Sequence, residues 1–123
     1  MADRADCPTR GRTAALALSV YRPRQDEGMT AYWFTIYRQI LDEDKLAAYA
    51  EHARPVLEAA GGTFLARGLP EVVYEGGEKT RMTLIQFDSV DAAAAAHDSP
   101  GYQEALALLD DGAVREIRLI PGL

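Results

Sequence analysis

Residues 31–38 alternate so that Tyr32, Phe34 and Ile36 share one face of an extended chain while Trp33, Thr35 and Tyr37 share the other. Aromatic and β-branched residues of this kind favour a strand. Both faces are largely apolar, so neither suits full exposure to water. One face requires helices packed against it. The other needs a second cover, and a chain of 123 residues is too short to supply another layer. A partner subunit is the economical answer.

The period then changes. Asp42 and Asp44 place acids at a helix start, where they complement its positive end. Leu46, Tyr49, Ala50, Ala53 and Leu57 recur at helical spacing to about residue 60. Pro55 removes one helical hydrogen bond and predicts a bend, and Gly61-Gly62 caps the C-terminus. Residues 63–67 form the second strand, with Phe64 and Ala66 on one face and Leu65 and Arg67 on the other. Gly68-Leu69-Pro70 turns the chain, residues 71–75 form a short return strand, and Gly76-Gly77-Glu78-Lys79 turns again. Residues 81–87 are the third main strand, in which Thr83, Ile85 and Phe87 alternate with Met82, Leu84 and Gln86.

Ser89 caps a helix through residues 92–96, and Ser99-Pro100 opens another. Tyr102, Ala105, Leu106 and Leu109 form the apolar stripe of that second piece, which Gly112 stops. Residues 114–121 are the last strand. The order predicts an α+β, ferredoxin-like βαββαβ fold with an extra short strand after the second strand.

Composition narrows the function classes. Apolar content of 48% and charged content of 26% are globular values. The formal net charge of −6 argues against nucleic acid or an anionic membrane as a partner. Residues 1–28 hold five Arg against four acids, whereas residues 29–123 hold eight Lys and Arg against fifteen acids. Residues 1–12 lack a periodic apolar pattern, and residues 13–21 allow a turn or two of helix or a short strand; residues 1–28 read as a misassigned leader or flexible extension, with Met29 as the expected native start and residues 29–123 as the folded domain. Arg10 and Arg12 precede a short apolar run, but Tyr21-Arg22-Pro23-Arg24 stands where a signal peptide would have a small-residue cleavage site. Cys7, the single cysteine, permits no intrachain disulfide and suits a cytoplasmic location.

Several local phrases, in order, resemble the family catalogued as domain of unknown function 1330. They are Ala31-Tyr32-Trp33, the run Gly61-Gly62-Thr63-Phe64-Leu65-Ala66-Arg67-Gly68, Glu75-Gly76, Phe87-Asp88-Ser89, Ser99-Pro100-Gly101-Tyr102-Gln103 and Pro121-Gly122. The resemblance covers roughly residues 30–122 and implies a dimeric α/β barrel, in which two ferredoxin-like subunits pack sheet to sheet. Leu69 stands where the family usually has a second glycine, and Gln86 where it often has Glu. Ala96-His97 replaces an aromatic pair, and Leu109 an arginine. If typical members share a charged site, this chain has lost part of it.

The candidate ligand-binding residues are Arg67, Glu75, Trp33, Tyr37, His97 and Tyr102. Arg67 and Glu75 can hold a carboxylate or carbonyl at the barrel mouth, although an ordinary cross-strand ion pair explains them as well. Trp33, Tyr37 and Tyr102 can wall an apolar pocket; for Trp33 and Tyr37 the favoured alternative is filling the dimer interface. His97 carries an imidazole, a side-chain type that can act as acid, base or ligand, yet beside Asp98 a capping or surface role is equally natural. His52 lies on the polar side of the first helix. No metal signature, phosphate-binding glycine loop or domain cysteine is present, so no cofactor or metal is expected. The expected protein is a small homodimer that binds a small molecule in the barrel cleft. The alternatives are a cofactor-independent monooxygenase or isomerase on an apolar or aromatic substrate, which rests on fold analogy, and a non-catalytic structural or regulatory dimer.

Overall fold

The computed structural model describes residues 30–123. The extension and the expected start at Met29 lie outside that range. The elements run β1 (Ala31–Ile40), α1 (Glu43–Ala59), β2 (Thr63–Gly68), β3 (Met82–Phe87), α2 (Val90–Asp98), α3 (Pro100–Leu109) and β4 (Ala113–Pro121). The four strands form one sheet in the order β2-β3-β1-β4, with every neighbouring pair antiparallel. This is the ferredoxin-like α+β arrangement, with α2 and α3 together taking the place of the second helix.

The helix ends follow their local chemistry. The Asp42 carboxylate accepts from the backbone N–H groups of Asp44 and Lys45 at 3.0 and 3.1 Å and so satisfies donors that the first turn leaves unpaired. Helix α1 continues through Pro55 and buries Leu46, Tyr49, Ala53 and Leu57. Ser99 serves two helices at once. Its hydroxyl donates to the carbonyl of Ala96 at 2.8 Å, and it accepts from the N–H of Tyr102 at 3.3 Å. That single residue ends α2, starts α3 and fixes where Tyr102 enters the core.

Two glycines set the helix spacing. A Cβ on Gly62 would fall 2.9 Å from both the Leu57 carbonyl and the Phe87 ring, so only glycine lets α1 return so tightly to the sheet. A Cβ on Gly101 would stand 3.1 Å from Val56, which lets α3 lie close against α1.

One face of the sheet is covered by the helices. Trp33 pairs with Ile85 and Leu119, and Thr35 with Thr83 and Ile117; Trp33, Thr35 and Ile85 are almost fully buried there. The expectation that Trp33 and Tyr37 fill an interface is therefore corrected, because both lie in the core beneath the helices. The open face carries Tyr32, Phe34 and Ile36, paired with Gln86, Leu84 and Met82. These residues are only half-buried. The apolar second face read from the sequence exists, on the alternate set of side chains.

Two further expectations are corrected. Residues 71–75 form no strand. Val72 and Tyr74 are 64% and 80% exposed; among the described residues they have no sheet neighbour to pair with, and strand preference does not act without one. The second correction concerns the faces of β2. Its pairing with β3 skips Leu65, with Phe64 opposite Ile85 but Ala66 opposite Leu84 and Arg67 opposite Thr83. This bulge places Phe64 and Arg67 on the same, helix-facing side, whereas simple alternation had separated them.

Gly62→Ala should lower the unfolding free energy by about 1–3 kcal/mol, the usual cost of overpacking a filled site. Chemical denaturation measures this, and an unchanged midpoint would contradict the proposed close approach.

Candidate functional site

Between α1 and the helix-facing side of the sheet lies a narrow cleft with a free volume of about 40 Å³. Its apolar walls include Trp33, Phe64 and Ile85 from the sheet and Leu46, Ala53 and Leu57 from α1. The Trp33 indole N–H is already satisfied, donating to Thr35 Oγ1 at 2.8 Å. The polar lining consists of the hydroxyls of Thr35, Thr83, Tyr37 and Tyr49 and the guanidinium groups of Arg54, Arg67 and Arg81. Among the described residues, no carboxylate, imidazole or thiol lines this cleft.

The bulge at Leu65 is what brings Arg67 here, since unbroken alternation would have aimed it at the open face. Arg81 arrives by a different route. It immediately precedes β3, shares the phase of Thr83 and Ile85, and its carbonyl accepts from the Tyr37 N–H at 2.9 Å. Its guanidinium lies 5.9 Å from the Tyr37 ring centre. The Nε atom of Arg81 is buried and has no hydrogen-bond partner among the described residues. Arg54 is engaged differently, pairing with Glu58 at 3.3 Å and lying 5.3 Å from the Phe64 ring centre.

Behind Tyr37 and Tyr49 stands Arg115 of β4. It donates to Tyr49 Oη at 3.0 Å and to Tyr37 Oη and Tyr102 Oη at 3.2 Å each. The Tyr49 and Tyr102 hydroxyls also meet at 2.7 Å. No carboxylate pairs with Arg115 among the described residues; three phenols from β1, α1 and α3 solvate it instead. Its guanidinium lies 4.5 Å from the Tyr49 ring centre, adding a cation–π contact. Burial acts to lower the Arg115 pKa, but interaction with Tyr49, Tyr102 and Tyr37 outweighs it and the net shift is upward. Burial raises Tyr49 and Tyr37 above the ordinary phenol value, with Arg115 opposing only part of the rise. At neutral pH the guanidinium is charged and these two phenols are protonated; their oxygens accept from Arg115 and they do not act as bases.

Of the six candidates from the sequence, Trp33, Tyr37 and Arg67 meet at this cleft. Tyr102 is fully buried and sits behind it. Its ring centre is 5.4 Å from Trp33 and 5.1 Å from His97. His97 packs its ring 5.8 Å from Trp33 and places Nδ1 3.0 Å from the Asp98 carboxylate, away from the cleft lining. Glu75 is exposed in a turn at φ 59° and forms no ion pair with Arg67. Sequence reasoning missed Arg81 and Arg115 as site residues. Both carried a signal: each is a cation in phase with apolar strand residues, Arg81 with Ile85 and Phe87, Arg115 with Ile117 and Leu119. Among the described residues, no three His, Cys, Asp or Glu side chains gather as metal ligands, and no helix is long and apolar enough to cross a membrane.

The family described as "Domain of unknown function (DUF1330)" matches residues 30–123, the whole of the described fold. The chain belongs to the DUF1330 family. No curated protein matches the sequence. A solved structure of a protein of unknown function from Rhodopseudomonas palustris is similar to this DUF1330 chain with a TM-score of 0.59 and 20% identity, over 79% of this chain and 83% of that one. A candidate antibiotic biosynthesis monooxygenase from Caulobacter crescentus matches with a TM-score of 0.50 and 16% identity, over 80% of this chain and 92% of that one. At these identities the likeness shows the shared fold.

The buried phenols make a signed pH prediction. Tyr37 and Tyr49 have folded pKa values above the unfolded value of 10.0, so their contribution to stability is complete below that pH and is lost as pH rises through the folded values. Ultraviolet titration of the DUF1330 chain should show at least two tyrosines that ionise only as the fold is lost. Ionisation of all the tyrosines near pH 10 with the fold intact would contradict the cage.

Proposed function

We propose that this protein is a homodimer that binds a small molecule in the cleft between α1 and the sheet. The observation that carries the reading is the cleft itself: apolar and aromatic walls from two elements, converging with hydrogen-bond donors on one side. That composition is typical of small-molecule sites.

The homodimer part rests on the other face of the sheet. Tyr32, Phe34, Ile36, Met82 and Leu84 form a half-buried apolar surface, flanked by Glu116 with its partners Arg38 and Arg118. Leu69, Val72 and Tyr74 add exposed apolar area on the loop after β2. An open apolar sheet face of this kind favours a protein partner, and a second copy packed sheet to sheet would close the barrel expected of the family. The absence of a cysteine from the domain suits a reducing cytoplasm.

The catalytic alternative is a cofactor-independent monooxygenase, in keeping with the fold shared with the Caulobacter protein. It has less support. Proton abstraction needs a group that accepts a proton near neutral pH, and the cleft presents protonated phenols and guanidinium groups. Binding is what this lining does best.

Two measurements check the reading. Light scattering should give a dimer for the parent and a monomer for Phe34→Asp, which places a charge on the open face; a monomeric parent at micromolar concentration would refute the dimer. A fragment panel followed by thermal shift should yield ligands for the parent that are lost in Ala50→Phe, a substitution that fills the cleft from α1. Equal shifts in both proteins would place binding elsewhere.

A further inference from the structure

The charge pattern of the cleft runs against that of the chain. Residues 29–123 hold fifteen acids and eight Lys and Arg, yet every charged side chain lining the cleft is an arginine. Glu58 answers Arg54 from the outer side of α1. Neither Arg67 nor Arg81 has an acidic partner among the described residues. Their placement is coupled. Arg67 stands opposite Thr83, and Arg81 lies two positions before it on the same face, so the two arginines are diagonal neighbours. Such neighbours have Cβ atoms about 7–8 Å apart, close enough for two long side chains to reach one group between them.

Everything polar that the site offers is a donor or a hydroxyl. Arg67 and Arg81 bring positive charge, Tyr37 and Tyr49 stay protonated, and Arg115 lies behind both phenols. The buried Arg81 Nε has no acceptor among the described residues, and leaving such a donor unpaired is costly. A planar guanidinium fork matches a carboxylate with two parallel hydrogen bonds.

We infer that the ligand of this cleft is a small organic carboxylate with an apolar body, its charged end received by Arg67 and Arg81 and its body lying against Phe64, Ile85 and Leu57. The inference rests on the cleft being a binding site and adds the chemical class of what it takes. It also assigns the bulge at Leu65 a role, because without it Arg67 would leave the site. A cationic ligand is disfavoured by the same groups.

The test uses matched acid and amide probes, benzoate and 2-naphthoate against benzamide and 2-naphthamide, titrated into the full chain. Trp33, the single tryptophan, reports occupancy by its fluorescence. An acid should bind at least about tenfold more tightly than its amide, the size expected when a charge-assisted hydrogen bond replaces a neutral one. Arg67→Gln and Arg81→Gln should each weaken the acid by about tenfold and leave the amide unchanged, while Lys79→Gln, an exposed loop charge, should behave as the parent. If either variant fails to fold, the acid-against-amide comparison in the parent decides alone. Equal affinities for acid and amide in the parent would overturn the carboxylate assignment and leave the cleft as a binding site. A Trp33 signal that responds to none of the four probes would overturn both.

Discussion

The arrangement that everything else depends on is the half-buried guanidinium of Arg115 among three phenols. Tyr37 comes from β1, Tyr49 from α1 and Tyr102 from α3, and their hydroxyls converge on one group from β4. A buried charge without such partners is expensive. The cost is met here by hydrogen bonds and ring faces, with no carboxylate partner among the described residues. Because each phenol rides on a different element, satisfying Arg115 also fixes both helices against the sheet. The cleft is bounded by Tyr37 and Tyr49, so its back wall is set by the same contacts.

Local chemistry then supplies the geometry that the cage requires. Ser99 breaks the second helix into two pieces and aims Tyr102 inward. Gly101 allows α3 to approach α1 closely enough for the two hydroxyls of Tyr49 and Tyr102 to meet. Lys45, bonded to Asp110 and Asp111 at 3.1 and 2.7 Å, ties the start of α1 to the segment leading into β4. These ion pairs are exposed and individually modest. Their role is to join the chain segments that carry Tyr49 and Arg115.

Periodicity made most of the fold legible. The alternation of β1, the helical stripe through Leu46, Tyr49, Ala53 and Leu57, and the Ser-Pro start of α3 each reflect a local rule that tertiary structure did not override. What was not legible depended on partners distant in sequence. Residues 71–75 have strand-like composition, but among the described residues no strand pairs with them. Both faces of β1 are apolar, so the sequence could not tell which set of side chains meets the helices. A bulge leaves no mark in composition, and one extra residue at Leu65 moved Arg67 from the expected face to the other. Arg81 and Arg115 were readable as cations in an apolar phase, a signal that a search for histidines and carboxylates passes over. Glu75, attractive as a charge opposite Arg67, was separated from it by a loop whose path no local pattern specifies.

The two faces of the sheet thus carry different work. The helix side holds the cage and the cleft, and the open side, with Phe34 and Leu84 at its centre, carries the surface suited to a second copy. The claim that joins these parts is that ligand enters between α1 and the sheet and meets Arg81. Nuclear magnetic resonance of the arginine Nε–H and Trp33 indole N–H groups during titration with 2-naphthoate tests it most directly. The account predicts that the Arg81 Nε–H and the Trp33 indole resonances move together and saturably, while the amides of Phe34 and Leu84 stay in place. Shifts confined to the open face, with Arg81 and Trp33 unmoved, would contradict it.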